Sequence, residues 1–267
     1  MKKTKQIVTL AGITLFSFSA LLSCAENKEL IASTLPATRS ATDPAADKVL
    51  DALKQRGKDL KDFTADVSIA ETDTTLGTEH LTVGKVWFQQ LNNDETRIRV
   101  FFDKKKINGK MIEARHDYLL EGGTLIEMNF DKKELARRQV LKPGQKLNPV
   151  KLGEGPFPLP IGQEREEVYK NFGVKKMASE KDDPANTEHV RLKPLVGTRF
   201  ARKFLQIDVF VAESGFPIRI VTLDKGGTTE RTTDLTNLKI NGGLKDDNFK
   251  MPTPNKDWKV VEEDLTQ

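Results

Sequence analysis

Three histidines, His80, His116 and His189, and a single cysteine, Cys24, are the side chains best suited to metal binding or nucleophilic chemistry. Protein zinc sites gather three or four ligands, usually at short spacings. The histidines lie on separate stretches without such spacing, and there is no second cysteine for a thiolate cluster or an intrachain disulfide. Each histidine reads as a surface or partly buried strand residue. No Gly-x-Ser-x-Gly elbow and no phosphate-binding glycine loop occur. Gly122-Gly123 and Gly226-Gly227 suit hairpin turns that need positive φ. A carboxylate hydrolase would need a convergent buried pair of Asp or Glu in a polar cleft, and alternation places most acids on a wet face. The residues therefore point away from an enzyme, a metal site or a cofactor, and toward binding.

Cys24 has a different context. Lys2, Lys3 and Lys5 form a basic head, and Ile7 to Leu22 is an uncharged, largely apolar stretch. This is short for a bilayer span and fits a secretory leader. Leu21, Leu22 and Ser23 before Cys24 resemble a bacterial lipobox. That resemblance implies a signal peptide over 1–23, cleavage before Cys24 and a lipidated thiol that ties the chain to a membrane. The alternative is ordinary cleavage after Ala25.

The formal charge of +4 is carried largely by that leader. Three of the 43 basic residues are Lys2, Lys3 and Lys5, and no acid precedes Cys24, which leaves 40 basic against 39 acidic side chains. Such balance argues against a nucleic-acid partner. Residues 24–42, rich in Ala, Ser and Thr without an apolar period, read as a flexible tether, and 43–267 as one domain.

Within that domain, Asp43 can cap a helix with Pro44 at its first position, and Val49, Leu50, Leu53 and Leu60 recur near helical spacing. Gly57 is expected to loosen the last turns. From Phe63 the period changes to two, and stretches with short polar turns follow one another up to Leu141 and again from Glu188 to Ile240. "PGQKLNPVKLGEGPFPLPIG" interrupts them with five prolines. "QEREEVYKNFG" then reads as a short helix with Val168, Tyr169 and Phe172 on one side, and "LKDDNFKMP" as a closing helical turn. The expected fold is mainly β (α+β): one curved antiparallel sheet of ten or eleven strands forming an unclosed barrel, with an N-terminal helix and a mid-chain helical lid over its concave face.

Alternation selects apolar phases: Val86 and Phe88; Ile98, Val100 and Phe102; Ile126 and Met128; Leu205, Ile207, Val209 and Val211; Ile218 and Ile220. They either line a binding cavity or pack under the helices as an ordinary core. "PFPLPIG" is either a mobile rim, exposing Phe157 and Leu159, or a locally packed linker. "DKKKINGK" reads as a solvated hairpin tip with a minor capacity for anionic head groups.

In order, the segments resemble the LolA/LolB superfamily of outer-membrane lipoprotein carriers. They run helix, Phe63-Thr64-Ala65-Asp66, Gly84-Lys85-Val86-Trp87, the Gly122-Gly123 hairpin, Gly215-Phe216-Pro217-Ile218-Arg219 and Leu235-Thr236-Asn237-Leu238-Lys239-Ile240. The resemblance covers Ala45 to Pro254. It implies an unclosed barrel whose helical lid encloses an apolar cavity for acyl chains of lipoproteins or lipids. Val86, Phe88, Ile98, Val100, Phe102, Ile126, Met128, Ile207, Val209, Ile218 and Ile220 would line that cavity, with Phe157, Leu159, Val168 and Phe172 at lid or rim. It also implies a periplasm-facing protein of the cell envelope, anchored to the outer membrane through Cys24, that sorts or transfers cargo by affinity difference without covalent chemistry. Ala25 in place of an aspartate leaves out the enterobacterial inner-membrane retention signal. Three departures stand out. The carrier's lid-latching arginine after the Gly-x-x-Trp segment is absent, the nearest being Arg97 and Arg99. The soluble carrier is not lipidated, and "GEGPFPLPIG" is richer in proline than the family's lid region. The same fold serves sensor and interaction modules, so a lipoprotein-sensing role without transfer, with an unidentified protein partner, is the alternative.

Overall fold

The computed structural model describes residues 43–92, 95–107, 109–142, 145 and 161–266. The leader, Cys24, the tether 24–42 and the rim residues Phe157 and Leu159 lie outside the described residues.

Helix α1 (Pro44–Asp59) begins where Asp43 accepts hydrogen bonds from the N–H groups of Ala45 and Ala46. Its buried stripe is Ala46, Val49, Leu50 and Leu53. Gly57 does not end it; two further residues stay helical before Leu60 turns extended.

The strands are β1 (Asp62–Asp73), β2 (Glu79–Gln90), β3 (Thr96–Ile107), β4 (Lys110–Glu121), β5 (Thr124–Asn129) and β6 (Glu134–Gln139). Helix α2 (Arg165–Asn171) precedes β7 (Phe172–Lys176), β8 (Thr187–Pro194), β9 (Phe204–Ala212), β10 (Pro217–Asp224), β11 (Thr229–Ile240) and β12 (Lys259–Asp264). All twelve belong to one sheet in the order β12-β6-β5-β4-β3-β2-β1-β11-β10-β9-β8-β7. The sheet is curved and unclosed, with β12 and β7 as its edges, as the alternating pattern predicts.

The twelfth strand was not expected, and its pairing with β6 is parallel. Parallel neighbours need a crossover of roughly a dozen or more residues. Residues 241–258 supply it, carrying the chain from β11 in mid-sheet to the β6 edge. On the way a 3-10 turn (Asp246–Phe249) lies against Arg97 and Arg99, and Trp258 packs edge-on to Phe130 with ring centroids 5.3 Å apart. Trp258 is thus a packing anchor of that crossover.

Residues paired across a ladder share a face, so register decides what each side chain meets. Phe63 pairs with Phe88 and Phe88 with Ile98; Ala65 pairs with Val86 and Val86 with Val100. On the other flank Ile220 pairs with Val209, Val209 with Val190, Ile207 with Leu192 and Leu192 with Val174. These residues form one buried cluster with the apolar stripe of α1. That face is the inner one.

Ile126 and Met128 are not on it. Val100 pairs with Tyr118 and Tyr118 with Glu127, whereas Phe101 pairs with Asp117 and Asp117 with Met128. Ile126 and Met128 therefore share the outer face with Arg99 and Phe101, next to the C-terminal crossover. Alternation specifies spacing within a strand but not which phase meets the helix, and a crossover on the outer face makes that phase apolar too. Phe172 also departs from expectation. Helix α2 stops at Asn171, whose amide bonds back to the Glu167 carbonyl, and Phe172 opens β7 in extended conformation. Ile218 is only half-buried, at a register shift between Pro217 and Arg219.

On the outer face, the fully buried Asp117 receives two bonds from Arg99, at 2.9 and 2.7 Å. Arg99 also donates to the Asn248 carbonyl at 3.0 Å, fastening the crossover. Removing one partner of a buried pair strands the other charge and costs about 3–5 kcal/mol. Arg99→Met is expected to lower the unfolding free energy by that order, read from urea titration, with Arg99→Met/Asp117→Leu recovering most of the loss.

Candidate binding face under helix α1

The inner face between β3 and β7 is mainly apolar, with the buried Thr222 and Thr233 and the Arg231–Glu71 pair in the same phase on β10, β11 and β1. Val86, Phe88, Ile98, Val100, Phe102, Ile207, Val209 and Ile220 are all buried there, in one cluster with Ala46, Val49, Leu50 and Leu53 of α1. Val168 on α2 and Phe172 on β7 join the same cluster. Leu205, in contrast, is exposed at the start of β9.

The fit is close. The cleft at the C-terminal end of α1, lined by Gly57, Leu60, Phe88, Ile161 and Gly162 with Lys58 and Gln90 beside them, holds about 130 Å³. Small-molecule sites are commonly about 300–1,000 Å³. Two glycines make the contact at this end: a Cβ on Gly57 would stand 2.2 Å from the Gly162 Cα, and Gly162 itself has φ +74°. The Gly162 N–H donates to the Leu53 carbonyl at 3.2 Å.

Polar bonds fix α1 at both ends. At its start, the Asp43 carboxylate accepts the Lys176 N–H of β7 at 2.8 Å, and the Asp43 N–H donates to the Tyr169 hydroxyl of α2 at 3.1 Å. That hydroxyl donates to Asp47 at 2.8 Å. The Lys176 N–H holds the Asp43 carboxyl below its ordinary range; partial burial opposes this, and the Ala46 and Ala45 N–H groups add to it. Along the helix, Lys54 meets Glu164 at 2.5 Å and Arg165 meets Asp51 at 3.3 Å. Such exposed pairs are screened by water and add little to the hold on the helix. At its end, Arg56 donates to the Ser214 carbonyl, and the Asn241 amide donates to the Asp59 carbonyl at 2.8 Å. Arg97 and Arg99 take no part: they sit on the opposite face, Arg97 bonded to Gln89 and, at 2.5 Å, to Asp246.

Toward β4–β6 the same inner phase becomes polar, which the alternation reading missed. Tyr118, Glu127 and Arg138 occupy it in turn, with Glu127 and Arg138 2.7 Å apart and Arg138 reaching Glu263 of β12 at 2.6 Å. Burial pushes the Tyr118 phenol well up, and neighbouring Glu127 adds to the shift. His116, whose Nδ1 lies 3.3 Å from the Tyr118 hydroxyl, is pushed down by burial.

The three histidines do not converge. His80 is exposed near the β1–β2 turn and His116 belongs to the inner polar group. His189 is buried on the outer face, stacked on Phe210 and bonded to Asp208 at 2.8 Å. Among the described residues no group of three or more His, Cys, Asp or Glu is placed to hold a metal ion.

No family model and no curated protein matches the chain. Among solved structures it is similar to an uncharacterized conserved protein from Thermus thermophilus, at 13% identity and TM-score 0.47, covering 82% of this chain and 99% of that one. It is similar to MucB at 12% identity and TM-score 0.46, covering 82% of this chain and 66% of MucB. It is also similar to a LolA-superfamily protein from Nitrosomonas europaea at 12% identity and TM-score 0.34, covering 77% and 97%. Likeness at this level assigns the chain no activity.

Two outcomes are expected here. Asp43→Ala removes the cap and its β7 bond, which should cost about 1–2 kcal/mol at pH 7. Because the folded carboxyl lies below its unfolded value near 3.9, this contribution is present above that pH and is lost as pH falls through the folded value. The gap between wild type and variant in urea midpoint should therefore narrow at pH 3. Gly57→Val forces α1 from the 161–162 segment and should cost about 1–3 kcal/mol, as overpacking does, in the same measurement.

Proposed function

We propose that this protein binds acyl chains, carried on lipoproteins or lipids, against the inner face that α1 covers, and serves their sorting or transfer in the cell envelope. The domain spans 43–267, and lipidation at Cys24 would anchor it to the outer membrane, facing the periplasm. The observation that carries the reading is a broad, mainly apolar face closed by one helix whose polar attachments lie mostly at the surface.

Magnitudes support a displaceable cover. Val49, Leu50 and Leu53 together gain about 5–9 kcal/mol by leaving water, an upper figure. An acyl chain with a dozen buried methylenes gains about 10 kcal/mol at ~0.8 kcal/mol each. A chain laid on the inner face therefore offsets the cost of lifting α1. Ligand and helix compete for the same surface, so affinity depends on the helix equilibrium and cargo can pass on without covalent chemistry.

A second reading has its own observation. The cleft at the C-terminal end of α1 is small, about 130 Å³, and buried side chains of the sheet and of α1 meet in one cluster beside it. A face packed in this way suits a sensor or interaction module of the same fold that binds a protein partner without transfer.

Native mass spectrometry of the protein purified gently from a Gram-negative periplasm separates the two. Co-purified phospholipid or acylated peptide in one-to-one complex is the expected result. A protein that stays free of both after incubation with each would overturn the first reading and leave the second.

A further inference from the structure

Seven large apolar side chains are exposed among the described residues, and five of them, Leu76, Met111, Ile112, Val196 and Leu205, gather at one end of the sheet. The antiparallel register accounts for this. The β1–β2, β3–β4 and β10–β11 turns and the β8–β9 connection all fall at that end. The turns are joined: the Thr74 N–H donates to the Thr228 carbonyl at 2.9 Å and the Thr74 hydroxyl to the Gly227 carbonyl at 2.8 Å. The Lys225 N–H donates to the Lys203 carbonyl at 3.0 Å, tying the next connection to the same rim.

Lysines flank two of these apolar groups, Met111 and Ile112. On the β3–β4 hairpin Lys106 pairs with Met111 and Lys105 with Ile112, while Lys104 and Lys110 are exposed beside them. No ion pair among the described residues engages these four lysines. Two acids at the same end, Asp73 and Asp224, are held within their own turns. Asp73 accepts the Thr75 and Leu76 N–H groups at 2.8 and 2.9 Å, and Asp224 accepts those of Thr228 and Thr229 at 2.7 and 2.8 Å. Asp103 and Glu113 are the acids on the β3–β4 hairpin itself, against its four lysines, and Glu79 and Glu230 are exposed on the neighbouring strands at the same end.

We propose that this hairpin end docks on an anionic phospholipid bilayer, with the β3–β4 lysines over the head groups and Leu76, Met111 and Ile112 entering the interface. Charge selects the occupant. A second copy would set lysines against lysines, whereas an anionic surface attracts each nearby lysine by roughly a fivefold gain in partitioning. Apolar tips among cations suit the boundary between head groups and acyl chains, where both classes of side chain are satisfied. The end lies opposite the β9–β10 turn to which Arg56 fastens α1, so docking leaves that attachment free. This surface is independent of acyl-chain binding under α1: a protein that holds no acyl chain can still dock.

Residues Ala37–Gln267 form a compact unit that lacks Cys24, so its membrane binding owes nothing to a lipid anchor. Co-sedimentation of this unit with phosphatidylglycerol–phosphatidylcholine vesicles, against pure phosphatidylcholine, tests the docking. Expected are binding to the anionic vesicles, loss with added salt, and at least a tenfold drop for Lys104→Glu/Lys105→Glu/Lys106→Glu. A smaller drop is expected for Met111→Ser/Ile112→Ser, and none for the control Lys245→Glu/Lys256→Glu, all with unchanged circular dichroism. Absence of binding, equal binding to neutral vesicles, or charge-reversed protein that binds as wild type would each overturn it.

Discussion

The burial of one helix face against one sheet face organises this molecule. Val49, Leu50 and Leu53 of α1 meet a surface drawn from strands far apart in sequence, from Phe63 on β1 to Leu192 on β8. A sheet of twelve strands curls, and a curled sheet with an apolar inner side needs something to cover it. A helix of sixteen residues, about 24 Å long, covers part of such a face. The cover is held differently from the rest of the fold. Its attachments are one capped N-terminus, two end contacts and several half-exposed pairs, while the outer crossover is fastened by the buried Arg99–Asp117 pair. Release of the inner cover breaks no fully buried ion pair.

The outer crossover explains the asymmetry of the sheet. Because 241–258 cover the outer face of β3–β6, those strands carry apolar or buried groups on both sides, Met128 and Asp117 outward and Val100 and Phe102 inward. On the inner side the apolar surface gives way to Tyr118, Glu127 and Arg138 toward β12. The face under α1 therefore has an apolar floor with a polar flank, an arrangement that suits an amphiphile with its tail on the floor.

Much of this was legible in the residues. The Asp43-Pro44 start and the Val49, Leu50, Leu53 stripe announced α1, and period-two alternation announced an open antiparallel sheet. The apolar phases it picked out on β2 and β3 face inward in the register, although alternation by itself does not say which way a phase turns. What escaped were features set by long-range register. Lys259–Asp264 has no alternating pattern, being exposed almost throughout, so β12 gives no local signal for its parallel pairing. Ile126 and Met128 have the spacing of inner residues but the outer register, and only the ladder from β3 through β4 decides between them. Phe172 continues the apolar side of α2 in sequence, yet Asn171 closes the helix one residue earlier. The Gly57–Gly162 approach joins residues more than a hundred apart, and neither glycine is distinctive by itself.

The central claim is that α1 is a cover displaced by an acyl chain. The most direct test is a distance between spin labels at Gln55→Cys on α1 and Thr236→Cys on β11, measured by pulsed dipolar spectroscopy in the cysteine-free Ala37–Gln267 unit. With saturating diacylated peptide, the account predicts a second, longer distance whose population rises with ligand. A single unchanged distance under conditions where the peptide is bound would contradict it.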